Sequence, residues 1–306
     1  MSEEIIKILE MLKEGLITTE EAERLIKSVN ESQEKSHKSE KKWRGPDFQN
    51  FAQEMGQIFD SIQFGKFFDN VVTKVKESVS TGFSNLAGTY VDESIDADGI
   101  ENLKVKQNGG NITVYKTDGK EFTIKGMRRS SKIEEGVLTL TSVGGNLSIG
   151  VPQTIKNVGI GVGGGNATIN KIEIEKLMAE TTGGNLSISD VSGSVSASSM
   201  GGSIDMTNIN STNIQAKSIG GRIQLIAGNL TEGKIALDST AGGIKLFVSE
   251  DSSFDLDAEV IGGKFESNLE LEMIENGPVK YKAKYNNGGA SVSINAKHGD
   301  VEVNND

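Results

Sequence analysis

From about residue 90 onward, apolar and polar residues alternate in short runs that are separated by pairs of glycines. Apolar residues fall six and four positions before most pairs, and three and five positions after the first glycine of most pairs. Alternation with a period of two is typical of strands that have one buried face. Each unit therefore predicts two short strands that are joined through a glycine corner.

The glycine pairs recur at a nearly constant spacing. From Gly144 to Gly262, consecutive pairs are 20, 19, 18, 19, 22 and 20 residues apart. A period of this size indicates stacked coils, and we predict a mainly β fold, a glycine-cornered β-solenoid (β-helix or β-roll), over residues 89–306. The predicted corner residues are Gly109, Gly110, Gly144, Gly145, Gly164, Gly165, Gly183, Gly184, Gly201, Gly202, Gly220, Gly221, Gly242, Gly243, Gly262, Gly263, Gly288 and Gly289.

The corners have further regularities. Glycine suits them because it adopts positive φ readily and leaves room where stacked backbones approach closely. Asn111, Asn146, Asn166 and Asn185 directly follow four of the pairs, and we expect their amides to form a hydrogen-bonded ladder along the solenoid axis. The pattern is irregular in the first and last coils, which is expected because terminal coils must protect the open ends.

The N-terminal part has a helical pattern instead. In residues 1–29, apolar residues recur every three or four positions, and Thr18 with Glu21 forms a capping box for a second short helix. This helical hairpin is too small to bury a core alone, so we expect it to self-associate or to bind a partner. Residues 30–45 are almost entirely polar and are interpreted as a solvated linker.

Residues 46–88 predict an amphipathic, phenylalanine-rich helix. Two interpretations stay open: the helix packs on its own chain or a partner, for instance as a lid on the solenoid, or it lies on a membrane surface. Acidic residues outnumber lysines on its polar face, which favours packing over binding to anionic lipid. The candidate contact residues are Phe48, Phe51, Phe59, Phe64, Phe67 and Phe68.

Composition and charge exclude several classes of protein. The chain has 37 Gly, 3 Pro, no Cys and a formal net charge of −11. A nucleic-acid binder would need a basic surface, so nucleic acid is not a predicted partner. The N-terminus lacks a basic secretory signal, and no stretch approaches the roughly 18 apolar residues of a membrane span. We expect a protein of the cytoplasm or the inner face of the membrane, with export by a non-classical route as the alternative.

No motif in the sequence predicts catalysis, a metal site or a cofactor. The "GIGVGGGN" run at 159–166 resembles a phosphate-binding loop, but it lies in the register of the repeat and has no βαβ context. The aspartate of calcium-binding nonapeptide repeats is absent, and His298 has no partner histidine or cysteine that would complete a zinc-binding set. We expect a non-enzyme, with a carbohydrate-active β-helix enzyme as the weaker alternative.

The repeats "GGNLSI", "GGSIDM" and "GGRIQL" resemble the bacterial putative-adhesin domain of glycine-cornered β-repeats. The opening "ILEMLKEGLITTEEAERLI" resembles the SHOCT-like hairpin found at the N-terminus of many such proteins. Together they resemble the daptomycin-sensing surface protein family of Gram-positive bacteria. The resemblance implies a non-enzymatic scaffold or binding protein of the cell-envelope stress response, with itself or an envelope-stress membrane protein as partner.

Overall fold

The computed structural model describes residues 89–306, and every regular element in this range is a β-strand. The predicted helical hairpin (1–29), polar linker (30–45) and amphipathic helix (46–88) lie outside the described residues, as do the six candidate phenylalanines.

Twenty-one strands follow one another along the described chain. The first eleven are β1 (Thr89–Asp96), β2 (Asn102–Asn108), β3 (Ile112–Lys116), β4 (Glu121–Arg128), β5 (Ser130–Glu134), β6 (Val137–Val143), β7 (Leu147–Val151), β8 (Asn157–Val162), β9 (Ala167–Thr181), β10 (Leu186–Ser199) and β11 (Ile204–Asn210). The others are β12 (Asn213–Ser218), β13 (Ile223–Ile226), β14 (Lys234–Ser239), β15 (Ile244–Val248), β16 (Phe254–Ile261), β17 (Phe265–Ser267), β18 (Glu272–Asn276), β19 (Lys280–Tyr285), β20 (Ala290–Lys297) and β21 (Val301–Asn305).

The strands form two ladders, and each stacked coil contributes one strand to each ladder. Ladder A holds the strands before each glycine corner, in the order β5, β6, β2, β8, β9, β10, β12, β14, β20, β16, β19, β18. Ladder B holds the strands after each corner, in the order β1, β4, β7, β3, β9, β10, β11, β13, β15, β21, β17. The long strands β9 and β10 contribute their first halves to ladder B and their second halves to ladder A.

Nine coils can be numbered along the chain, but they do not stack in that order. We define them as coil 1 (102–116), coil 2 (137–151), coil 3 (157–172), coil 4 (176–192), coil 5 (194–210), coil 6 (213–226), coil 7 (234–248), coil 8 (254–267) and coil 9 (290–305). In space they follow the order 2, 1, 3, 4, 5, 6, 7, 9, 8, because β2 lies between β6 and β8 and β20 lies between β14 and β16.

This order places the first and last coils inside the stack, where each is paired on both sides. The C-terminal strand β21 pairs with both β15 and β17, so the end of the chain is held as firmly as an internal strand. The outermost strands are antiparallel additions. At one end β5 pairs with β6 and β4 with β7, and at the other β19 pairs with β16. The expectation that the first and last coils of the chain protect the open ends is therefore wrong, because both coils are internal and antiparallel strands cover the outermost coils instead.

The core lies between the two ladders and runs through all nine coils as one cluster of buried side chains. The alternation predicted from the sequence is confirmed, since β2 and β20 bury every second residue. The predicted inward pairs are fully buried at both ends of the stack, as for Leu138 with Leu140 and Leu256 with Ala258. Each Å² of apolar surface that is removed from water stabilises the fold by about 25 cal/mol. Because every coil buries its apolar side chains against its neighbours, stacking of the coils is the main source of stability.

Candidate functional site

In every coil except coil 2, one corner glycine lies against the backbone of the neighbouring coil. A Cβ added at any of these positions would lie between 1.8 and 2.3 Å from the carbonyl oxygen of the corresponding glycine in the next coil. Side-chain carbons essentially never approach another atom within 3.0 Å, so only glycine fits. We call this set the glycine column. Its members, in spatial order, are Gly110, Gly165, Gly184, Gly202, Gly221, Gly242, Gly299 and Gly263.

The residue before each member of the glycine column is less constrained. A Cβ added at Gly183 or Gly164 would meet nothing within 4 Å. Ala241 occupies this position in coil 7, and His298, with a φ of 58°, occupies it in coil 9. Gly109 and Gly262, and also Gly144 in the corner of coil 2, have a left-handed backbone with φ between 69° and 77°, which residues with a side chain rarely adopt.

Two of the predicted corner pairs lie elsewhere than the sequence indicated. Gly242 is the column glycine of coil 7, so its pair with Gly243 starts one position later than the others, which explains the shifted apolar residues that follow it. Gly288 and Gly289 lie in the connection between β19 and β20, two strands that flank β16 on opposite sides. The corner of coil 9 is formed by His298 and Gly299 instead, where no glycine pair marks it.

The four predicted asparagines lie next to one another in consecutive coils. The Oδ1 of Asn146 accepts the N–H of Asn111 at 3.1 Å, and that of Asn111 accepts the N–H of Asn166 at 3.0 Å. The series continues to Asn185 at 2.8 Å and ends on the N–H of Ser203 at 2.9 Å. These bonds run from side chain to backbone, and they fasten each corner to the next along the axis.

A second column of hydrogen bonds was not recognised in the sequence. Thr181, Ser199, Ser218 and Ser239 are buried, and each hydroxyl accepts the N–H of the column glycine three residues later at 2.9 to 3.2 Å. Each also donates to the column glycine carbonyl of the neighbouring coil at 3.2 to 3.4 Å. We call these residues the hydroxyl column.

The hydroxyl column does have a sequence signal. A serine or threonine stands three positions before the column glycine in "TTGG", "SMGG", "SIGG" and "STAG". Because the hydroxyl bonds to part-buried backbone groups on both sides of a coil interface, its loss would remove a hydrogen-bond partner from both coils. The two columns together make every corner of the central coils a rigid, hydrogen-bonded joint.

The outward side chains of both ladders form rows that run from coil to coil. On ladder B, Ser148, Thr113, Thr168 and Ser187 follow one another in consecutive coils. Neighbouring strands lie about 4.8 Å apart, so these short hydroxyl side chains repeat at that interval. The arrangement presents a regular polar surface on a backbone that cannot easily deform.

Ladder A carries a mixed outward row that includes two partly buried carboxyl groups. Burial raises the pKa of the Glu180 carboxyl. Burial also raises the pKa of Asp238, while a hydrogen bond with Asn295 and the charges of Lys217 and Lys297 act in the opposite direction. Both groups therefore bind a proton more readily in the folded chain than an exposed carboxyl does.

Five aspartates on the coils each have a separate partner, so they do not form pairs of the kind that general acid–base catalysis uses. Asp190 accepts a hydrogen bond from Asn208 at 2.6 Å, and Asp205 forms an ion pair with Arg222. Asp257 lies 3.9 Å from Lys282. Asp238 bonds with Asn295, and Asp255 accepts the N–H of Gly289. Each carboxylate is thus tied to its own coil interface.

Within residues 89–306, no group of three or more His, Asp or Glu side chains is arranged to hold a metal ion. In the same range, no helix has the length and apolar character needed to span a membrane.

Two family models match the chain. The Toastrack DUF4097 model matches residues 96–304, and a SHOCT-like domain model matches residues 3–34. No match was found among curated proteins.

Two solved structures are similar to this chain over most of their own length. One is described as a putative cell adhesion protein from Clostridium sporogenes, with 13% identity, a TM-score of 0.31, and coverage of 71% of this chain and 100% of its own. The other is described as a putative adhesin from Bacteroides fragilis, with 14% identity, a TM-score of 0.37, and coverage of 71% and 97%.

The Toastrack match spans more than half of the chain, and it coincides with the β-solenoid-like part that carries the glycine column. The resemblance to the putative-adhesin β-repeat family and to the SHOCT-like hairpin is confirmed. This protein belongs to the Toastrack DUF4097 family and carries an N-terminal SHOCT-like domain.

Proposed function

We propose that this protein is a non-enzymatic scaffold of the bacterial cell envelope stress response. In this proposal the SHOCT-like segment self-associates or recruits an envelope-stress membrane protein, and the solenoid presents its outward rows to that assembly at the inner face of the membrane. The observation that carries the proposal is the pair of outward ladder faces whose side chains repeat in register from coil to coil, with the coils joined at their corners by the glycine column, the asparagine ladder and the hydroxyl column.

Three features support a binding role. The matched family model is named Toastrack DUF4097, the two similar structures are described as a putative cell adhesion protein and a putative adhesin, and none of these names assigns a catalytic step. A surface that repeats at about 4.8 Å can contact a partner at many equivalent points, so weak contacts add up. The SHOCT-like segment is continuous in sequence with this surface, which lets one chain join a partner to the solenoid.

The hairpin's part in the proposal is tested by light scattering on the full chain. Leu9→Asp with Leu25→Asp places charges on the predicted apolar faces, whereas Lys7→Asp with Lys27→Asp changes only the predicted polar faces. We expect the leucine variant to lose mass relative to wild type and the lysine control to keep it. Equal masses for all three chains would remove self-association through the hairpin from the proposal.

A second candidate function is binding to a membrane surface through the phenylalanine-rich segment. Its support is the clustering of Phe64, Phe67 and Phe68 just before the solenoid. Flotation with anionic liposomes compares wild type with a Phe67→Asp, Phe68→Asp chain. If both chains remain equally in the soluble fraction, this function is rejected.

A further inference from the structure

The outward face of ladder A has no side chains at the centre of coil 3. In β8 the residues that alternate with the inward apolar ones are Gly159 and Gly161, and Gly163 continues the series directly after the strand. None of these three glycines has a left-handed φ, so turn geometry does not explain them. Glycine inside a strand often marks a place where another segment approaches the backbone closely. We call the bare strip along these residues the glycine groove.

Long side chains border the glycine groove on both sides. On one side, Lys104 and Lys106 of β2 pair with the two glycines of β8. On the other side, Met178 and Glu180 of β9 do so. Neighbouring strands are about 4.8 Å apart, so the two rims are about 9.6 Å apart, which is close to the diameter of an α-helix at about 10 Å. The glycine groove is therefore wide enough for the side chains along one face of a helix.

The glycine groove is withdrawn from water. Gly159 and Gly161 are buried although their outward side is bare backbone. Burial raises the pKa of Glu180 on one rim and lowers the pKa of Lys104 on the other, so both side chains are displaced toward their uncharged forms. A groove whose floor and both rims are shielded in this way has the properties of a contact surface.

The rims are basic although the chain is acidic. Along β2, β8 and residues 176–181 of β9, the charged residues are three lysines and one glutamate, namely Lys104, Lys106, Lys176 and Glu180. The raised pKa of Glu180 weakens the single negative charge among them. In a chain with a formal net charge of −11, this surface favours an acidic segment over a basic one.

The first helix of the predicted hairpin has the matching composition. Residues 5–12 read "IIKILEML", in which Lys7 and Glu10 are the polar residues, so apolar side chains lie on more than one side of this helix. The second helix of a hairpin can cover one side only, which leaves apolar surface for a further contact. Residues 3–14 contain four glutamates and two lysines, which gives the segment the acidic charge that the rims favour.

One face of this helix fits the glycine groove in size and charge. Glu4, Ile8 and Met11 lie four and three residues apart, so they share a face. At about 1.5 Å per residue they span about 10 Å, and the groove from Gly159 to Gly163 spans about 13 Å at about 3.3 Å per residue. Ile8 and Met11 can therefore lie over the glycines while Glu4 reaches the lysine rim.

We propose that residues 3–14, the first helix of the SHOCT-like hairpin, bind in the glycine groove of their own chain. Ile8 and Met11 fill the space that the missing side chains leave, and the N-terminal glutamates contact the lysines of β2. The connecting residues 30–88 are long enough when extended, at about 3.3 Å per residue, to reach every coil. A hairpin that is bound here cannot offer the same face to another molecule, so a partner must displace it. This contact goes beyond the proposed scaffold function and does not depend on self-association.

Thiol labelling of the full chain tests the contact, because the chain has no cysteine of its own. Met178→Cys places a thiol on the rim of the glycine groove, and Ser293→Cys places one in the same outward row, in coil 9. We expect a maleimide to label position 178 about tenfold more slowly than position 293, because labelling at 178 waits for the helix to leave. Equal rates would overturn the proposal. So would a rate at 178 that rises on dilution, which would indicate that a second copy fills the groove.

A variant of the hairpin identifies the bound segment. Ile8→Asp with Met11→Asp, added to the Met178→Cys chain, should raise the labelling rate to that of position 293. Lys13→Asp is the matched control, since it changes the net charge by the same amount on the other side of the predicted helix, and it should leave the rate unchanged. A rate that stays slow in the first variant contradicts the proposal.

Reversal and rescue test the charge pairing, and they do not depend on the fold of an altered apolar face. Lys104→Glu with Lys106→Glu should raise the labelling rate at position 178, and adding Glu3→Lys with Glu4→Lys should restore slow labelling. If the four changes together leave labelling fast, the pairing is wrong and the proposal falls with it.

Two further variants separate this contact from its alternatives. Lys217→Glu with Lys234→Glu changes two exposed lysines of ladder A outside the groove, and release by this pair would show a general charge effect and overturn the proposal. Faster labelling in Phe67→Asp with Phe68→Asp, and not in the hairpin variant, would assign the groove to the phenylalanine-rich segment and overturn it as well. Light scattering reports self-association and labelling reports the groove, so the two proposals fail separately.

Discussion

Replacing Gly184 by alanine should separate two neighbouring coils, whereas the same change at Gly183 should not. The new Cβ at residue 184 would lie 1.9 Å from the carbonyl oxygen of Gly165 and 2.4 Å from its carbonyl carbon. Ordinary contact begins at 3.4 Å, so the coils must move apart by about 1.5 Å at this corner. Both contacting atoms belong to the backbone, so no side-chain rotation can relieve the overlap.

The cost of Gly184→Ala follows from what the movement disrupts. Overpacking a closely packed site typically costs about 1 to 3 kcal/mol. The bond from Asn185 N–H to Asn166 spans the same interface at 2.8 Å, and one or two such bonds contribute about 0.5 to 1.5 kcal/mol each. We expect the free energy of unfolding to fall by about 2 to 5 kcal/mol.

Gly183→Ala is the matched control in the adjacent position. A Cβ at residue 183 meets nothing within 4 Å, and the backbone there is not left-handed. Alanine in an unstrained position stabilises by about 0.4 to 1 kcal/mol, because it restricts the unfolded chain. The two variants and wild type are compared by urea unfolding of the full chain, followed by circular dichroism. Equal midpoints for the two variants would refute the steric account of the glycine column.

Three further predictions concern the hydroxyl column, the buried carboxyl group and the end of the chain. Ser218→Ala removes both hydrogen bonds of a fully buried hydroxyl, to the Gly221 N–H and the Gly202 carbonyl, and at about 0.5 to 1.5 kcal/mol each it should cost about 1 to 3 kcal/mol of unfolding free energy. Ser187→Ala on the outer face should stay within about 0.5 kcal/mol, and both variants are measured by urea unfolding. Glu180 has a raised pKa when folded, so its charge destabilises the fold above that pKa. Glu180→Gln should therefore raise the thermal midpoint at pH 7. This advantage should shrink as pH falls through the raised folded pKa and be gone at about 4.3, the pKa of an unfolded glutamate, and a gain independent of pH would contradict the burial effect. Deleting residues 301–306 removes β21 from between β15 and β17 and should abolish cooperative thermal unfolding, whereas a chain that unfolds like wild type would show that β21 is dispensable.

The sequence predicted the coil and much of its corner because both depend on local chemistry. Alternating apolar residues specify which side of each strand is buried, and the glycine pair marks where the backbone must come close to its neighbour. Asn166 and Asn185 could be placed in a ladder because equal positions in stacked coils lie side by side. The same reasoning failed at Gly288 because a glycine pair also suits a strand connection, and it missed Gly299 because a single glycine is no signal.

The structure also assigned different roles to the two members of each pair. Gly183 and Gly184 are both glycines, so the sequence does not distinguish them, but only Gly184 faces the carbonyl oxygen of the next coil. The hydroxyl column was missed for a related reason. A serine three residues before a glycine is a common pattern, and its role appears only when the neighbouring coil supplies the second hydrogen-bond partner.

The sequence by itself determined the repeat, the inward side chains and the need for glycine at the corners, since these follow from alternation and from the size of a side chain. Only the tertiary structure decided which coil lies next to which. Coil 1 lies between coils 2 and 3, and coil 9 lies between coils 7 and 8, although both ends of the repeat could equally have stacked in chain order. Because every coil offers nearly the same edge to its neighbour, local chemistry does not fix the order of the end coils. The strands β4 and β5 lie in the connection from coil 1 to coil 2, and β18 and β19 lie in the connection from coil 8 to coil 9, which are the two places where the spatial order reverses the chain order.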